Sequence, residues 1–182
     1  MPDEVLITPE AFKEKFLDVA KERETQIIEL GKEDKNYTEL MLKNDGIIAN
    51  VAFHLGLEYY REYWTIDAIY YRRKHNKYFS SSATYAEYLS VAIEHENLAH
   101  TAHVEINKLS LFNCPLKVLI TYPLNEKNAM ALLDEYSDIL VKADIFKDFA
   151  DNRKQLVIFG YFEDEKVHWK FHVYRGDGFT RI

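Results

Sequence analysis

Residues 89 to 122 read LSVAIEHENLAHTAHVEINKLSLFNCPLKVLITY. Leu89 to Glu96 has the apolar and β-branched content of a strand. From Asn97 to Phe112 the residues Leu98, Ala102, Ile106 and Leu109 fall on one helical stripe, which Pro115 ends. The run 116–122 is almost wholly apolar and reads as a strand buried on both faces. A strand that returns through one helix to a second strand makes the two parallel, joined by a right-handed crossover. The expected architecture is therefore α/β: a mixed sheet with helices on both faces.

Upstream, residues 57–71 read LEYYREYWTIDAIYY, aromatic and β-branched enough for two strands that break near Trp64. Before them, Thr8 is placed to cap a helix that begins at Pro9, carries Phe12, Phe16, Val19, Ala20, Ile27 and Ile28, and stops at Gly31. A second amphipathic helix carries Leu40, Met41, Ile47, Ile48, Val51, Ala52 and Leu55, runs through Gly46 and stops at Gly56. Downstream, a helix is expected from about Asn125 to Lys147. Two strands follow, Gln155 to Phe162 and Lys166 to Tyr174, the last with Val167, Trp169, Phe171 and Val173 on a covered face. No repeat or long linker divides the chain. We expect one domain over 1–182, with a helical part at 8–56, a core at about 47–122, and the last helix and two strands at 125–174.

The 182 residues, 47% hydrophobic, suffice for a sizeable core. With no apolar run of membrane-spanning length and no secretory start, a cytoplasmic protein without a membrane partner is expected. The single cysteine, Cys114, forms no internal disulfide and reads as a core thiol. A net charge of −7 opposes indiscriminate binding of polyanions. A local exception is Arg72-Arg73-Lys74-His75-Asn76-Lys77, either a solvated hairpin tip or a phosphate contact through Arg72, Arg73, Lys74 and Lys77.

Two places in the apolar strands carry carboxylates. Asp67 lies in Trp64-Thr65-Ile66-Asp67-Ala68-Ile69, with no basic residue nearer in sequence than Arg61 or Arg72. Glu94 and Glu96 point to one side of their strand, about 7 Å apart. Buried carboxylates need partners. The partner is an arginine such as Arg61 or Arg72 for Asp67, solvent for the two glutamates, or a divalent cation held between the strands. Mg²⁺ takes one or two carboxylates plus waters and phosphate oxygens, and it neutralises charge on a phosphodiester while activating water.

In this order of elements, with Asp67 on one strand and Glu94-His95-Glu96 on the next, the sequence resembles the PD-(D/E)xK, or restriction endonuclease-like, nuclease superfamily over about Ile47 to Tyr122. The resemblance implies an α-β-β-β-α-β core and a metal-dependent phosphodiesterase acting on nucleic acid, DNA first, with Mg²⁺ or Mn²⁺ as cofactor. It implies Asp67, Glu94 and the His95 main-chain carbonyl as metal ligands, with Glu62 a further acidic candidate. Glu96 stands where most members have lysine, and Ile66 stands where the motif has proline. Some members carry Glu-x-Glu, and in others the lysine comes from the following helix, which here bears Lys108. The catalytic set is then Asp67, Glu94, Glu96 and Lys108.

The alternative is a non-catalytic binding or regulatory protein on the same fold, favoured by the replaced lysine and the acidic charge. A homodimer is left open. The spacing His95 to His100 is five residues where a zinc-protease helix needs four, so His95, His100 and His103 read as ordinary polar histidines. No glycine-rich phosphate loop is present.

Overall fold

The structure, a computed structural model, describes residues 6–31, 35–72 and 88–182. Its strands are β1 (Glu58–Tyr63), β2 (Ile66–Tyr71), β3 (Leu89–Glu96), β4 (Leu116–Thr121), β5 (Lys154–Glu163), β6 (Lys166–Tyr174) and β7 (Phe179–Arg181). They form one mixed sheet in chain order. β1, β2 and β3 are antiparallel neighbours, β3, β4 and β5 run parallel, and β5, β6 and β7 are antiparallel again. β4 therefore lies in the middle, and all six of its residues are buried.

The alternation of side chains along each strand divides the core into two layers. On one face, α1 (Pro9–Glu22), α2 (Glu24–Leu30), α3 (Lys35–Leu42) and α4 (Ile47–His54) pack against Val91, Ile93, Val118 and Ile120. On the other, α5 (His103–Ser110) and α6 (Glu126–Ala143) pack against Ala92, Leu119, Val157 and Phe159. Glu94 alternates with Ile93 and so shares the α5 layer, whereas the His95 ring enters the layer of α3, beside Tyr37 and Tyr122. Among the described residues no helix is long and apolar enough to cross a membrane.

The Thr8 cap is present, its Oγ1 accepting from the Ala11 N–H at 3.1 Å. Four boundaries differ from expectation. The first helix turns at Arg23, whose guanidinium donates to Gln26 and to the Asp45 carbonyl. The second divides between Leu42 and Ile47, with Gly46 as the N-cap of α4, where an added Cβ would lie 2.7 Å from the Leu40 carbonyl oxygen. The crossover helix starts only at His103, and Leu98 is exposed rather than on its buried stripe. α6 ends at Ala143, where Asp144 accepts from the main-chain N–H groups of Asp148 and Phe149. β7 is additional, too short to show a period. The basic run beyond Arg72 lies outside the described residues.

Gly160, inside β5, is demanded by its neighbours. A Cβ would stand 2.6 Å from the Tyr122 ring and 2.8 Å from the Trp169 ring, and Trp169 is its ladder partner. Both rings are held by further aromatic contacts, Trp169 on Phe16 at 4.8 Å and Tyr122 on Tyr37 at 5.5 Å, so neither can withdraw freely. Gly160→Ala should cost about 1–3 kcal/mol through overpacking. Thermal unfolding of the variant should show a melting temperature lower by about 5 °C.

Candidate functional site

The pairing Ala68↔Ile93 between β2 and β3 sets Asp67 across from Glu94. Asp67 Oδ2 accepts the main-chain N–H of His95 at 2.8 Å. Burial raises the Asp67 pKa, and the His95 N–H, followed by the neighbouring Glu94, holds it down in part. Glu94 is only 1% exposed. Burial first, and then the Asp67 charge, push its carboxyl up to about 9.

The cation that faces this pair comes from α5. Glu105 and Lys108 are three residues apart, the spacing that sets two side chains on one helical face. Lys108 Nζ lies 2.8 Å from Glu94 Oε1 and 2.5 Å from Glu105 Oε2. It also donates to the main-chain oxygen of Thr65 at 2.8 Å. Burial pulls the ammonium down, but Glu105 and Glu94 outweigh it and leave its pKa above the ordinary lysine value. Three carboxyl groups thus face one ammonium. Burial, together with the excess negative charge, raises the pKa of both Asp67 and Glu94, Glu94 the further.

The structure thus brings Asp67, Glu94 and Lys108 together and adds Glu105 and the Thr65 carbonyl, which sequence reasoning missed. The signal for Glu105 is its spacing to Lys108. Glu96 does not join them: its Oε1 accepts the Leu98 N–H at 2.8 Å, closing the turn after β3. It lines a cleft beyond the ends of β3 and β4 with Asn97, Leu98, His100, Leu124 and Asn128. Glu62 is exposed and faces Arg61, 3.5 Å away. The arginine partner for Asp67 is not Arg61, because Arg61 makes a two-pronged contact with Glu39 at 2.7 and 2.9 Å. Arg72 follows directly on β2, whereas Arg73, Lys74 and Lys77 lie outside the described residues.

His95 bonds Tyr122 through Nε2 at 2.9 Å, and burial drives its pKa down to about 3. The imidazole is therefore a neutral core group on the far side of the sheet, and only the His95 main chain reaches Asp67. His103 contacts the His100 carbonyl and stands 3.9 Å from Glu135. Cys114 is a buried thiol bonded to the Leu116 carbonyl.

Among the described residues no three His, Cys, Asp or Glu side chains form a group suited to a metal ion. The Asp67–Glu94 pair nonetheless fits a hard cation that needs one or two carboxylates and completes its shell with water. Burial raises both pKa values, so a divalent ion would compete with protons for the pair. No family model and no curated protein matches the chain.

Proposed function

We propose that the chain is a metal-dependent phosphodiesterase that acts on nucleic acid, DNA in the first place, on a restriction endonuclease-like scaffold. One observation carries the reading: Asp67 and Glu94 meet across antiparallel strands, and a lysine from the following helix reaches Glu94 at 2.8 Å. The succession α4, β1, β2, β3, α5, β4, with β3 and β4 parallel, agrees with the α-β-β-β-α-β order of that superfamily. Lys108 supplies from α5 the ammonium that Glu96 cannot.

Asp67 and Glu94 would hold Mg²⁺ or Mn²⁺ together with the His95 main-chain carbonyl. When bound, the ion supplies neutralisation of phosphate charge and a water of lowered pKa. The chain's own residues do the rest. The His95 amide fixes the Asp67 carboxylate, Glu105 and the Thr65 carbonyl aim the Lys108 ammonium, and that ammonium stabilises negative charge on the phosphate. Glu96, at the rim of the adjoining cleft, is the nearest further carboxylate along β3 and a candidate base for water.

A second reading has its own support. Lys108 already offsets part of the carboxylate charge, as in an inert ion-pair cluster of a binding or regulatory protein. Thermal unfolding with and without Mn²⁺ separates the two. Ligands that bind only the folded state raise its stability, so the wild type should melt several degrees higher in millimolar Mn²⁺. Asp67→Asn should lose that increment. An unchanged melting temperature in the wild type favours the inert cluster.

A further inference from the structure

The hairpin that carries Asp67 is strained in a way its packing does not explain. Tyr63 pairs with Ile66, which leaves Trp64 and Thr65 as a two-residue turn. Trp64 has φ 57°, and Glu62, two residues earlier, also has φ 57°. A left-handed backbone in so tight a hairpin is ordinarily given to glycine, asparagine or aspartate, and for a bulky residue it is an outlier. A buried ring could offset that strain, yet Trp64 is 78% exposed. Its ring faces Tyr63, near-parallel at 6.2 Å between centroids. Backbone strain of this kind clusters at active sites and ligand clamps, where it is held by the surroundings, and here it displays a large aromatic ring.

The turn is also fixed relative to the carboxylates. The Thr65 carbonyl accepts from Lys108 Nζ at 2.8 Å, and the same ammonium stands 2.8 Å from Glu94. The Trp64 ring is thus carried one residue from an atom that is tied to Glu94 through a single ammonium group. A chain of net charge −7 gains little from general attraction to phosphates. It needs a contact with nucleic acid that does not depend on charge, and base–aromatic stacking is one.

Resting on the hydrolytic reading above, we propose that Trp64 is a stacking platform for an unpaired nucleobase next to the cleavage site. The favoured substrate is then a single strand, or the frayed or flapped end of a duplex. Stacking needs an exposed π-face, which bases inside an intact duplex do not offer.

The chain has two tryptophans, and Trp169 is half-buried against Phe16 at 4.8 Å, so Trp64 should dominate any quenching by a ligand. A short thymidylate oligonucleotide is titrated, with EDTA and separately with Mn²⁺, into wild type, Trp64→Phe and Trp64→Ala. Saturable quenching is expected in wild type and not in Trp64→Phe. Affinity should fall about ten-fold or more in Trp64→Ala, and a closed hairpin duplex without unpaired bases should compete poorly. Quenching should persist in raised salt better than contacts to phosphate would.

Absence of quenching at any oligonucleotide concentration overturns the inference, as does equal affinity of wild type and Trp64→Ala, or preference for the closed duplex. Cleavage that depends on Mn²⁺ but is indifferent to Trp64 removes the stacking role and leaves the hydrolytic reading. Saturable quenching in a protein that neither binds Mn²⁺ nor cleaves keeps the base contact and removes the hydrolytic reading. Equal folding of the variants is checked by circular dichroism.

Discussion

Glu94→Gln should abolish metal-dependent hydrolysis and, without metal, make the protein more stable than wild type above neutral pH. The cause is the raised pKa of Glu94, about 9 in the fold against 4.5 for an unperturbed glutamate. An acid whose folded pKa is raised binds its proton more tightly in the folded state. The stability this confers is complete below about 4.5 and is lost progressively as pH climbs to about 9. Over that window the loss in the wild type should be on the order of several kcal/mol, because each tenfold gain in proton affinity on folding is worth about 1.4 kcal/mol. Glutamine cannot ionise, so the variant should keep a nearly level melting temperature where the wild type declines. Metal binding should strengthen with pH over the same range in wild type, since the ion displaces that proton. Parallel pH series of melting temperature, with and without Mn²⁺, check both statements. A wild type that is as level as the variant contradicts the assignment of the retained proton to Glu94.

The second large effect lies on the central strand, where Lys117 pairs with Ala92, two residues before Glu94. Lys117 is fully buried in β4, and its Nζ has no hydrogen-bond partner among the described residues. The nearest aromatic group is Phe149, with the ammonium 4.4 Å from the ring centroid. Arg153 adds a second positive charge over the same ring at 4.8 Å. Burial lowers the Lys117 pKa from 10.5 to about 8. A base whose folded pKa is lowered costs stability at neutral pH and regains it as pH rises from about 8 to 10.5. Methionine has similar length and no charge to desolvate. Lys117→Met should therefore stabilise the fold at pH 7 by about 3 kcal/mol, with the advantage shrinking toward pH 10.5. Urea unfolding at the two pH values measures it. A destabilised Lys117→Met would mean that the ammonium has a role in the fold which its surroundings do not reveal.

How much of this the sequence discloses depends on whether the deciding force is local. The break of the hairpin near Trp64, the strand ending at Glu96 and the buried run at 116–122 are written in alternation and in β-branched content. They agree with β1, β2, β3 and β4. The division of the helices at Gly46 is not written locally in the same way. Its hydrophobic period continues unbroken through the glycine, and the close approach of Gly46 to the Leu40 carbonyl is a fact of packing. The late start of α5 escapes for a related reason: Glu96 spends its carboxylate on the Leu98 N–H, and this sets a turn where the apolar spacing alone favours helix. In the run 116–122 the burial of Lys117 follows from its neighbours, but the want of a partner for its ammonium is a fact of packing.

At the site, Asp67 and Glu94 stand out because a carboxylate in an apolar strand demands an explanation. Lys108 is suggested by the resemblance to the nuclease superfamily, and its reach to Glu94 comes from the folding of α5 onto β3. Glu105 is concealed because a glutamate on a helix usually faces solvent, whereas this one is 18% exposed and faces Lys108. Of the expected catalytic set, Asp67, Glu94 and Lys108 meet, while Glu96 gives one carboxylate oxygen to the Leu98 N–H in the turn after β3.

Nicking of supercoiled plasmid DNA, whose negative supercoiling transiently unpairs bases, by wild type and Asp67→Asn in millimolar Mn²⁺ tests the central claim most directly. The wild type should convert plasmid to open-circular and linear forms only when metal is present, and Asp67→Asn should leave it supercoiled. Equal conversion by the two proteins, or none by a wild type whose melting temperature is also indifferent to Mn²⁺, would contradict a metal-dependent phosphodiesterase centred on Asp67 and Glu94.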